Sequence, residues 1–379
     1  MSVFLLLFVC VSGLHVGFQI LFYFRKNWLQ IEGIIDLPAV SVIICAKNEA
    51  ENLQLFLPSI LNQEYAGEWE LIVVNDASQD DTVEILNSFA TQFDHLRLVH
   101  ISMDRQRELP GKKMALQHGF EAAKYPYLLC TDADCKPAGK YWLAAMVTTA
   151  AARHKEIILG YGGYQQRRGI LNQFIRWETV HTCMQYCSLS EIGKTYMGVG
   201  RNLLFQKTAI DRLKNNETFQ SIYRNTPSGD DDITVSFAAA NNNTGICLHP
   251  DAHTVSIPKD SWKAWWNQKK RHVSTGKYYP VVVKKLIGLY ALNHALSWLL
   301  FIVAVILVSI GELRFPQLLW ITACFLLRLG WSWINAGIWY RALKEKKLFW
   351  FYPIGDLGWA FYNVILSPYI FWKNRKSWK

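Results

Sequence analysis

Two aspartates, Asp132 and Asp134, are the residues whose types and spacing most clearly suit chemistry in this chain. They follow an apolar run at residues 127–131, which the pattern predicts to be a buried strand. Two carboxylates at the carboxyl end of a strand can share one hard divalent cation, because such cations take oxygen ligands and also hold diphosphate oxygens. The pair therefore predicts a cation site suited to a diphosphate group.

The elements around these aspartates predict a fold that brings several polar residues to one edge. Predicted strands at residues 40–45, 71–74, 96–101 and 127–131 alternate with predicted helices at 49–61, 81–93 and 112–124. This alternation is typical of an α/β fold with a parallel sheet and right-handed crossovers. Ligands of such sheets bind at the carboxyl ends of the strands. Because Asn48, Asp76 and Asp132 all fall there, we expect them to share one pocket.

Apolar stretches at both ends of the 379-residue chain predict membrane segments around one catalytic domain. Residues 3–24 are long enough to span a bilayer of roughly 30 Å. Arg25 and Lys26 follow, so residues 1–25 are predicted to be a retained anchor with its amino terminus outside. We assign residues 38–260 to a cytoplasmic catalytic domain. Residues 261–285, where Trp and basic residues alternate at helical spacing, are assigned to an amphipathic interfacial segment.

The last region, residues 286–372, is predicted to be transmembrane or membrane-associated. Residues 286–310 and 317–340 are predicted to form two spanning helices. Residues 348–372 contain Pro and Gly and have basic flanks on both sides, so we expect them to lie in the interface or to re-enter. Arg328 lies near the middle of a span, where an ionisable residue usually faces the bundle interior. Our hypothesis is that it pairs with Asp356 or binds the phosphate of a lipid acceptor.

The distribution of charge and of cysteines argues against a nucleic-acid-binding protein and against a cysteine-based zinc site. The net charge is +10, but the basic clusters lie beside the apolar spans, which indicates contact with membrane lipids rather than with nucleic acid. The eight cysteines form no CxxC pair, and reduced, buried thiols in a cytoplasmic domain are expected. Cys183 and Cys187 lie one helical turn apart, but no nearby histidine pair completes a zinc site.

An ordered set of motifs resembles the membrane-integrated branch of the family 2 glycosyltransferases, which includes cellulose and hyaluronan synthases and ceramide glucosyltransferases. The resemblance covers about residues 40 to 275 and implies a Rossmann-like nucleotide-diphospho-sugar transferase (A-type) domain. Transmembrane helices are then expected at both its N-terminal and C-terminal sides. The motifs are residues 41–49 (SVIICAKNE), 70–82 (ELIVVNDASQDDT), 111–116 (GKKMAL), 132–134 (DAD), 198–203 (GVGRNL), 229–232 (GDDD) and 268–271 (QKKR).

The resemblance implies roles for the residues that would bind the donor. Glu49 and Asp76 match positions that hold uridine, although helix capping is an alternative for this region. Lys112 matches a lysine near the diphosphate, whereas Lys113 is expected to be solvated. Asp132 would contact the ribose and the sugar, and Asp134 with Asp132 would hold Mg²⁺ or Mn²⁺. One of His249 and His253 could be a third metal ligand, or both are ordinary loop histidines.

The later motifs would supply the base and the acceptor site. Direct inversion at an anomeric carbon needs a carboxylate to take a proton from the acceptor hydroxyl. The resemblance makes Asp231 this base with Asp230 as its neighbour. A shift of one residue would make it Asp232, and the remaining carboxylates could cap the following helix.

The motif at residues 268–272 resembles the family's Gln-x-x-Arg-Trp signature, so Gln268, Arg271 and His272 are expected to bind substrate, with Arg271 at the diphosphate. A basic helix at the membrane surface is the alternative for this segment, and both can hold. His272 replaces the Trp of the family signature, which disfavours processive polymer synthesis. Residues 198–202 are glycine-rich and are expected near the acceptor.

The sequence thus predicts an inverting, metal-dependent glycosyltransferase of the bacterial inner (plasma) membrane, with its catalytic domain in the cytoplasm. The nucleotide-sugar donor would be a UDP-sugar in preference to a GDP-sugar. The acceptor would be a lipid or lipid-linked saccharide. The alternatives are a processive polysaccharide synthase, or a non-catalytic membrane scaffold that keeps the fold.

Overall fold

The computed structural model describes residues 3–31, 33, 36–104, 106–240 and 242–371, and joins an α/β domain to a group of apolar helices. Trp372, the last residue of the predicted C-terminal region, lies outside the described residues, as do Met1 and Ser2 of the predicted anchor.

A seven-stranded sheet forms the centre of the α/β domain. Its strands lie in the order β3-β2-β1-β4-β8-β6-β9, with these bounds: β1 Val40–Ala46, β2 Trp69–Asp76, β3 Leu96–Ile101, β4 Tyr127–Asp132, β6 Ile157–Gly160, β8 Leu203–Gln206 and β9 Thr244–Cys247. The first four strands are parallel, as predicted. Strand β8 pairs antiparallel with both β4 and β6, so the complete sheet is mixed.

Helices cover both faces of this sheet, because β1 is apolar on both sides. Val42 and Ile44 pack into one core cluster with the helices at Ala50–Leu61 and Thr82–Ala90, and Ile43 and Cys45 pack into the other with the helix at Lys113–Ala122. The helices of the domain are α2 Ala50–Leu61, α3 Thr82–Ala90, α4 Lys113–Ala122, α5 Trp142–Ala152, α6 Ile170–Glu191, α7 Lys207–Lys214, α8 Glu217–Asn225 and α9 Asp232–Ala238. Continuous burial of a strand is what a doubly covered parallel sheet requires.

A second, three-stranded sheet lies beside the end of β4. It consists of β5 Cys135–Pro137, β7 Gly162–Tyr164 and β10 Thr254–Ser256, in the order β5-β10-β7. Ser256 lies opposite Cys135 in the antiparallel pair. This small sheet fixes the direction of the chain immediately after Asp134.

Among the described residues, three helices are long and apolar enough to cross a membrane: Val3–Leu29, Val281–Ser309 and Phe315–Ala342. They coincide with the three predicted spans. The regular helices within and beside them are α1 Val3–Leu21, α10 Trp262–Val273, α11 Val281–Ser309, α12 Phe315–Ala342 and α13 Tyr352–Leu366. Helix α13 has 15 residues, so it is roughly 22 Å long. Further 3-10 turns, Lys346–Phe351 and Ser367–Phe371, flank it, and the interfacial or re-entrant placement of residues 348–372 stays a prediction.

A buried ion pair joins two of these helices. Arg328 Nη1 lies 2.8 Å from Asp356 Oδ2, so the predicted pairing is confirmed. Asp356 also accepts hydrogen bonds from Trp298 Nε1 at 2.8 Å and from the Tyr352 hydroxyl at 3.1 Å, and His294 Nε2 lies 2.9 Å from it. The carboxylate therefore ties together α11, α12 and α13.

Candidate active site

Charged side chains from distant segments converge at the carboxyl end of β1. Cys45 lies there, opposite Asp132 of the neighbouring β4. Burial raises the pKa of the Cys45 thiol to about 12, and the charges of Lys112, Asp230, Asp132 and Asp76 all act on it. The structure thus brings four of the predicted site residues around one point, as expected for strand ends in a parallel sheet.

Asp132, Asp134 and Cys135 form a cluster with the donor set of a metal site. One ligand atom from each lies within 4.8 Å of the other two. Burial, and then the charge of Asp132, raises the pKa of the Asp134 carboxyl. A cation between two such carboxylates would relieve both their repulsion and their desolvation. The residues present therefore fit a divalent cation.

Neither predicted histidine joins this cluster. His253 is buried, and its Nε2 lies 3.0 Å from the Leu248 carbonyl oxygen. His249 Nδ1 accepts a hydrogen bond from the Asp251 amide. Both are loop histidines, so the expected alternative of a histidine ligand is wrong within the described residues, and the third potential ligand beside the two aspartates is Cys135.

Lys112 links the first turn of α4 to the carboxylate cluster. It is the N-cap residue of α4 and forms an ion pair with Asp132. Burial is the largest influence and acts to raise the pKa of the Asp132 carboxyl, but the charge and hydrogen bond of Lys112, together with the charges of Arg201 and Arg271, leave that pKa lowered. Gly111 has φ +66°, and a Cβ there would collide with the Pro227 carbonyl oxygen. A glycine is therefore needed for α4 to begin this close to residues 226–229.

The prediction that Lys113 is solvated is wrong. Its side chain is fully buried, and Nζ donates to the carbonyl oxygens of Tyr223 at 2.9 Å and Thr226 at 2.5 Å. These carbonyls lie at the end of α8, where the helix dipole favours a cation. Burial lowers the pKa of Lys113 to about 8. Lys112 forms an ion pair with Asp132, whereas the Lys113 ammonium bonds to backbone carbonyls and is acted on by the charges of Asp230 and Asp231.

The three adjacent aspartates diverge at the start of α9. Asp231 Oδ2 accepts a hydrogen bond from the Gly200 amide at 2.8 Å, and its Oδ1 accepts one from the Asp232 amide at 2.9 Å. Asp231 is itself the N-cap of α9, so the expectation that its neighbours do the capping is wrong. Burial, and then the charge of Asp230, raises the pKa of Asp231 to about 6.

The side chain of Asp232 points away from those of Asp230 and Asp231. Its Oδ2 accepts hydrogen bonds from Thr275 Oγ1 at 3.0 Å and from the Tyr279 hydroxyl at 2.8 Å, beyond the end of α10. Asp232 is buried and its Oδ2 accepts both of these bonds, whereas Asp230 is half-buried. The geometry thus separates Asp232 from the other two aspartates.

The predicted nucleotide-binding residues have protein partners. Asp76 is fully buried and Arg107 Nη2 donates to both of its oxygens, at 2.5 and 2.6 Å. Glu49 Oε2 accepts from Asn52 Nδ2 at 2.5 Å. Asp76 does not cap α3, whose N-cap is Asp81. Sequence reasoning missed Arg107 because it belongs to no motif, although it lies just before the Gly-Lys-Lys segment.

The helix that carries residues 268–272 lies beside the carboxylates. The Arg271 charge contributes to the low pKa of Asp132, so this guanidinium acts on the cluster. Gln268 is half-buried and His272 is exposed on the same helix. Ser228, just before the three aspartates, donates to the Arg271 carbonyl oxygen at 3.4 Å. Arg271 is thus the residue of this motif that connects the helix with both Asp132 and the segment before the three aspartates.

Arg201 is a second residue that sequence reasoning did not single out. Its guanidinium stacks on the Tyr164 ring at 4.2 Å and donates to the Gly162 carbonyl oxygen at 2.8 Å. Its charge contributes to the lowered pKa of Asp132 and opposes the rise in the pKa of Asp134. The glycines on either side of Val199 were the available signal, because they indicated a close backbone approach at this position.

Comparison with known proteins agrees with this geometry. The model of the glycosyl transferase family 2 matches residues 41–214, and that of the glycosyl transferase family group 2 matches residues 128–340, more than half of the chain. The mannosyltransferase PcManGT from Pyrobaculum calidifontis, solved with GDP-Man and Mn²⁺, superposes with a TM-score of 0.52 at 20% identity, covering 95% of this chain and 99% of that one. This likeness supports the A-type fold.

Two curated relatives extend the comparison. The "probable glycosyltransferase YdaM" of Bacillus subtilis is 26% identical over 288 residues, which are 73% of this chain and 64% of that protein. A poly-beta-1,6-N-acetyl-D-glucosamine synthase of Staphylococcus epidermidis is 28% identical over 287 residues, 71% of this chain and 62% of the relative. The chain thus spans somewhat less than two thirds of the length of these relatives. From the family match, the chain belongs to the glycosyl transferase family group 2.

Proposed function

We propose that this glycosyltransferase transfers a sugar, with inversion, from a nucleotide-diphosphate donor to a lipid or lipid-linked saccharide at the cytoplasmic face of the plasma membrane. One observation carries the proposal. Asp132 and Asp134 lie within ligand distance of each other, at the strand edge where the charges of Lys112 and Asp230 also act. This combination suits a diphosphate leaving group next to a carboxylate base.

The donor diphosphate would lie between the carboxylates and the cations around them. Asp134 and Asp132 would hold Mg²⁺ or Mn²⁺, which when bound stabilises the departing diphosphate as a Lewis acid. Lys112 supplies a charge from the start of α4, where free backbone amides also favour phosphate. Arg271 supplies a planar donor from α10, supported by its electrostatic effect on Asp132. Asp132 would also contact the ribose and the sugar.

Asp231 would act as the general base, with Asp230 beside it. A pKa of about 6 leaves this carboxylate mostly ionised at neutral pH yet able to accept a proton. It takes the proton of the acceptor hydroxyl as that oxygen bonds to the anomeric carbon. The bond from this carbon to the diphosphate oxygen breaks, and the electron pair leaves with the nucleoside diphosphate. The Gly200 amide holds the carboxylate in one orientation.

Nucleotide recognition would use Glu49 and Asp76, and we favour UDP over GDP as the nucleotide. Asp76 forms an ion pair with Arg107. The pair would hold the Asp76 carboxylate in one orientation as a hydrogen-bond acceptor for the nucleotide, and Arg107 would lie beside it. Gln268 and His272 would line the path from the diphosphate to the acceptor. Because the solved relative PcManGT carries GDP-Man, the donor must be tested with both nucleotides.

The membrane helices support an acceptor that is lipid or lipid-linked. Helix α10 carries three tryptophans and four basic residues immediately before α11, a composition suited to the membrane interface. The Staphylococcus epidermidis relative, named as a polysaccharide synthase, supports a second candidate function, processive polymer synthesis. The replacement of the family's Trp by His272 opposes it.

The test is nucleoside-diphosphate release by the purified chain in detergent with a panel of UDP- and GDP-sugars, a lipid extract, and Mn²⁺ or Mg²⁺. We expect release from one donor that needs both lipid and metal, a single sugar on the product, and an inverted anomeric configuration. A ladder of long products would replace the proposal with the synthase. Donor binding without any turnover across acceptor extracts would favour a scaffold.

A further inference from the structure

A thiol lies inside the proposed cation site. Cys135 directly follows Asp134 in the chain, and its Sγ lies 3.4 Å from Asp134 Oδ1. Its Sγ, one carboxylate oxygen of Asp134 and one of Asp132 fall within 4.8 Å of one another. In a tetrahedral site with bonds of about 2.0–2.3 Å, neighbouring ligand atoms are about 3.6 Å apart. The spacing of the sulfur and the carboxylate oxygen thus matches one edge of such a site.

The fold keeps this sulfur in place. Cys135 is fully buried in β5, and its pairing partner in β10 is Ser256. Ser256 Oγ lies 2.8 Å from Sγ, and a partner of this kind orients a metal ligand. Arg201 Nη1 lies 3.4 Å from the same Ser256 oxygen. The sulfur is therefore held next to the carboxylates rather than turned into the core.

We propose that Cys135 makes this site bind thiophilic divalent cations, Zn²⁺ and Cd²⁺, through Sγ together with the Asp132 and Asp134 carboxylates. The inference rests on the cation site of the proposed function. Hard cations such as Mg²⁺ prefer oxygen ligands, whereas a thiolate selects softer ones. Since the same carboxylates serve both kinds of cation, Zn²⁺ or Cd²⁺ competes with Mn²⁺ and blocks the site.

Binding has a simple balance. The S–H bond of Cys135 breaks, the proton is released to solvent, and the sulfur electron pair forms the bond to the cation. The step requires no oxidant or reductant. The sulfur–metal bond also distinguishes this site from one made of carboxylates alone, because a site without sulfur would give no sulfur-to-metal charge-transfer absorption.

The first test is a Cd²⁺ titration of the purified full chain in detergent. The signal recorded is the ultraviolet absorption band of sulfur-to-cadmium charge transfer. We expect a band that saturates near one Cd²⁺ per chain and is absent from Cys135→Ser. Cys187→Ser is the matched control, because Cys183 and Cys187 have sulfurs 3.8 Å apart and are the rival thiol pair. A band that persists in Cys135→Ser, or no band in the wild type, would overturn the proposal.

The second measurement is the displacement of bound Mn²⁺ by Cd²⁺. The released Mn²⁺ is quantified by its electron paramagnetic resonance signal. Cys135→Ser should still bind Mn²⁺, which also demonstrates that it is folded. It should need at least about tenfold more Cd²⁺ than the wild type to release that Mn²⁺. Cd²⁺ binding that leaves Mn²⁺ in place would refute a shared site.

Neither readout requires sugar transfer. If no donor is turned over but the cadmium band depends on Cys135, the proposed function fails and this inference stands. If transfer occurs and the band does not depend on Cys135, the reverse holds.

Discussion

Removal of Asp356 should destabilise the membrane helices strongly, because it would leave a buried arginine without its counter-ion. Arg328 is 1% exposed. Its Nη1 bonds to Asp356, while its Nε and Nη2 have no hydrogen-bond partner within the described part of the chain. Breaking a buried ion pair from one side costs about 3–5 kcal/mol. We therefore expect Asp356→Ala to lower the free energy of unfolding by about that amount.

The measurement is detergent-induced unfolding, with circular dichroism as the signal. It is made on the two single variants and the double variant of Arg328 and Asp356, which together form a double-mutant cycle. Arg328→Leu should be destabilised to a similar extent, since Asp356 is then the unpaired charge. The double variant Arg328→Leu with Asp356→Ala removes both charges, so it should be clearly more stable than the sum of the two single changes predicts. Glu312→Ala, an exposed loop position, serves as the control and should unfold like the wild type.

Two results would refute this reasoning. One is wild-type stability of Asp356→Ala, which would mean that the guanidinium finds water or lipid headgroups without cost. The other is strict additivity of the two single changes, which would mean that the charges do not depend on each other.

Three further predictions concern the catalytic domain. The pKa of Asp231 is raised to about 6. We therefore expect kcat/KM to be constant at neutral pH and to fall by about tenfold per pH unit below pH 6, because the base becomes protonated. A pH–rate profile that stays level down to about pH 4, near the ordinary pKa of aspartate, would contradict this prediction. Lys112→Gln removes a charge-assisted bond and should lower kcat/KM about 10–100-fold in steady-state assays, whereas the exposed control Lys124→Gln should behave as wild type. Gly229→Ala forces a side chain at φ +76° with its Cβ 2.7 Å from Thr275 Cγ2, so thermal unfolding should report a loss of about 1–3 kcal/mol; an unchanged Tm would show that the loop adapts.

The parallel half of the sheet was predictable because its signals are local. Each of the first four strands is a short apolar run with a helical pattern after it, and chain order alone then brings Asp76 and Asp132 to one edge. The aspartate spacing carries its chemistry in the sequence itself. The three membrane spans were predictable for the same reason, since their length and composition suffice.

The antiparallel strands and the small sheet were not predictable, because they depend on pairing between distant segments. β8 joins β4 across about 70 residues, and β10 joins β5 across about 120. The positions of Cys135 and Arg201 follow from those pairings.

Two lysines adjacent in sequence also gave no sign of which one is buried. The answer depends on where α8 ends relative to α4, because the carbonyls there accept the Lys113 ammonium. Similarly, nothing in the sequence indicated that Arg107 reaches Asp76.

The most direct test of the account compares Asp231→Asn with Asp211→Asn, an exposed aspartate on α7 that serves as the matched control. Sugar transfer and donor binding should be measured on the same preparations. We predict that Asp231→Asn loses about 10²–10⁴-fold in transfer rate while its affinity for the donor and Mn²⁺ is retained, because only the base is removed. Transfer at the wild-type rate in Asp231→Asn would contradict the account.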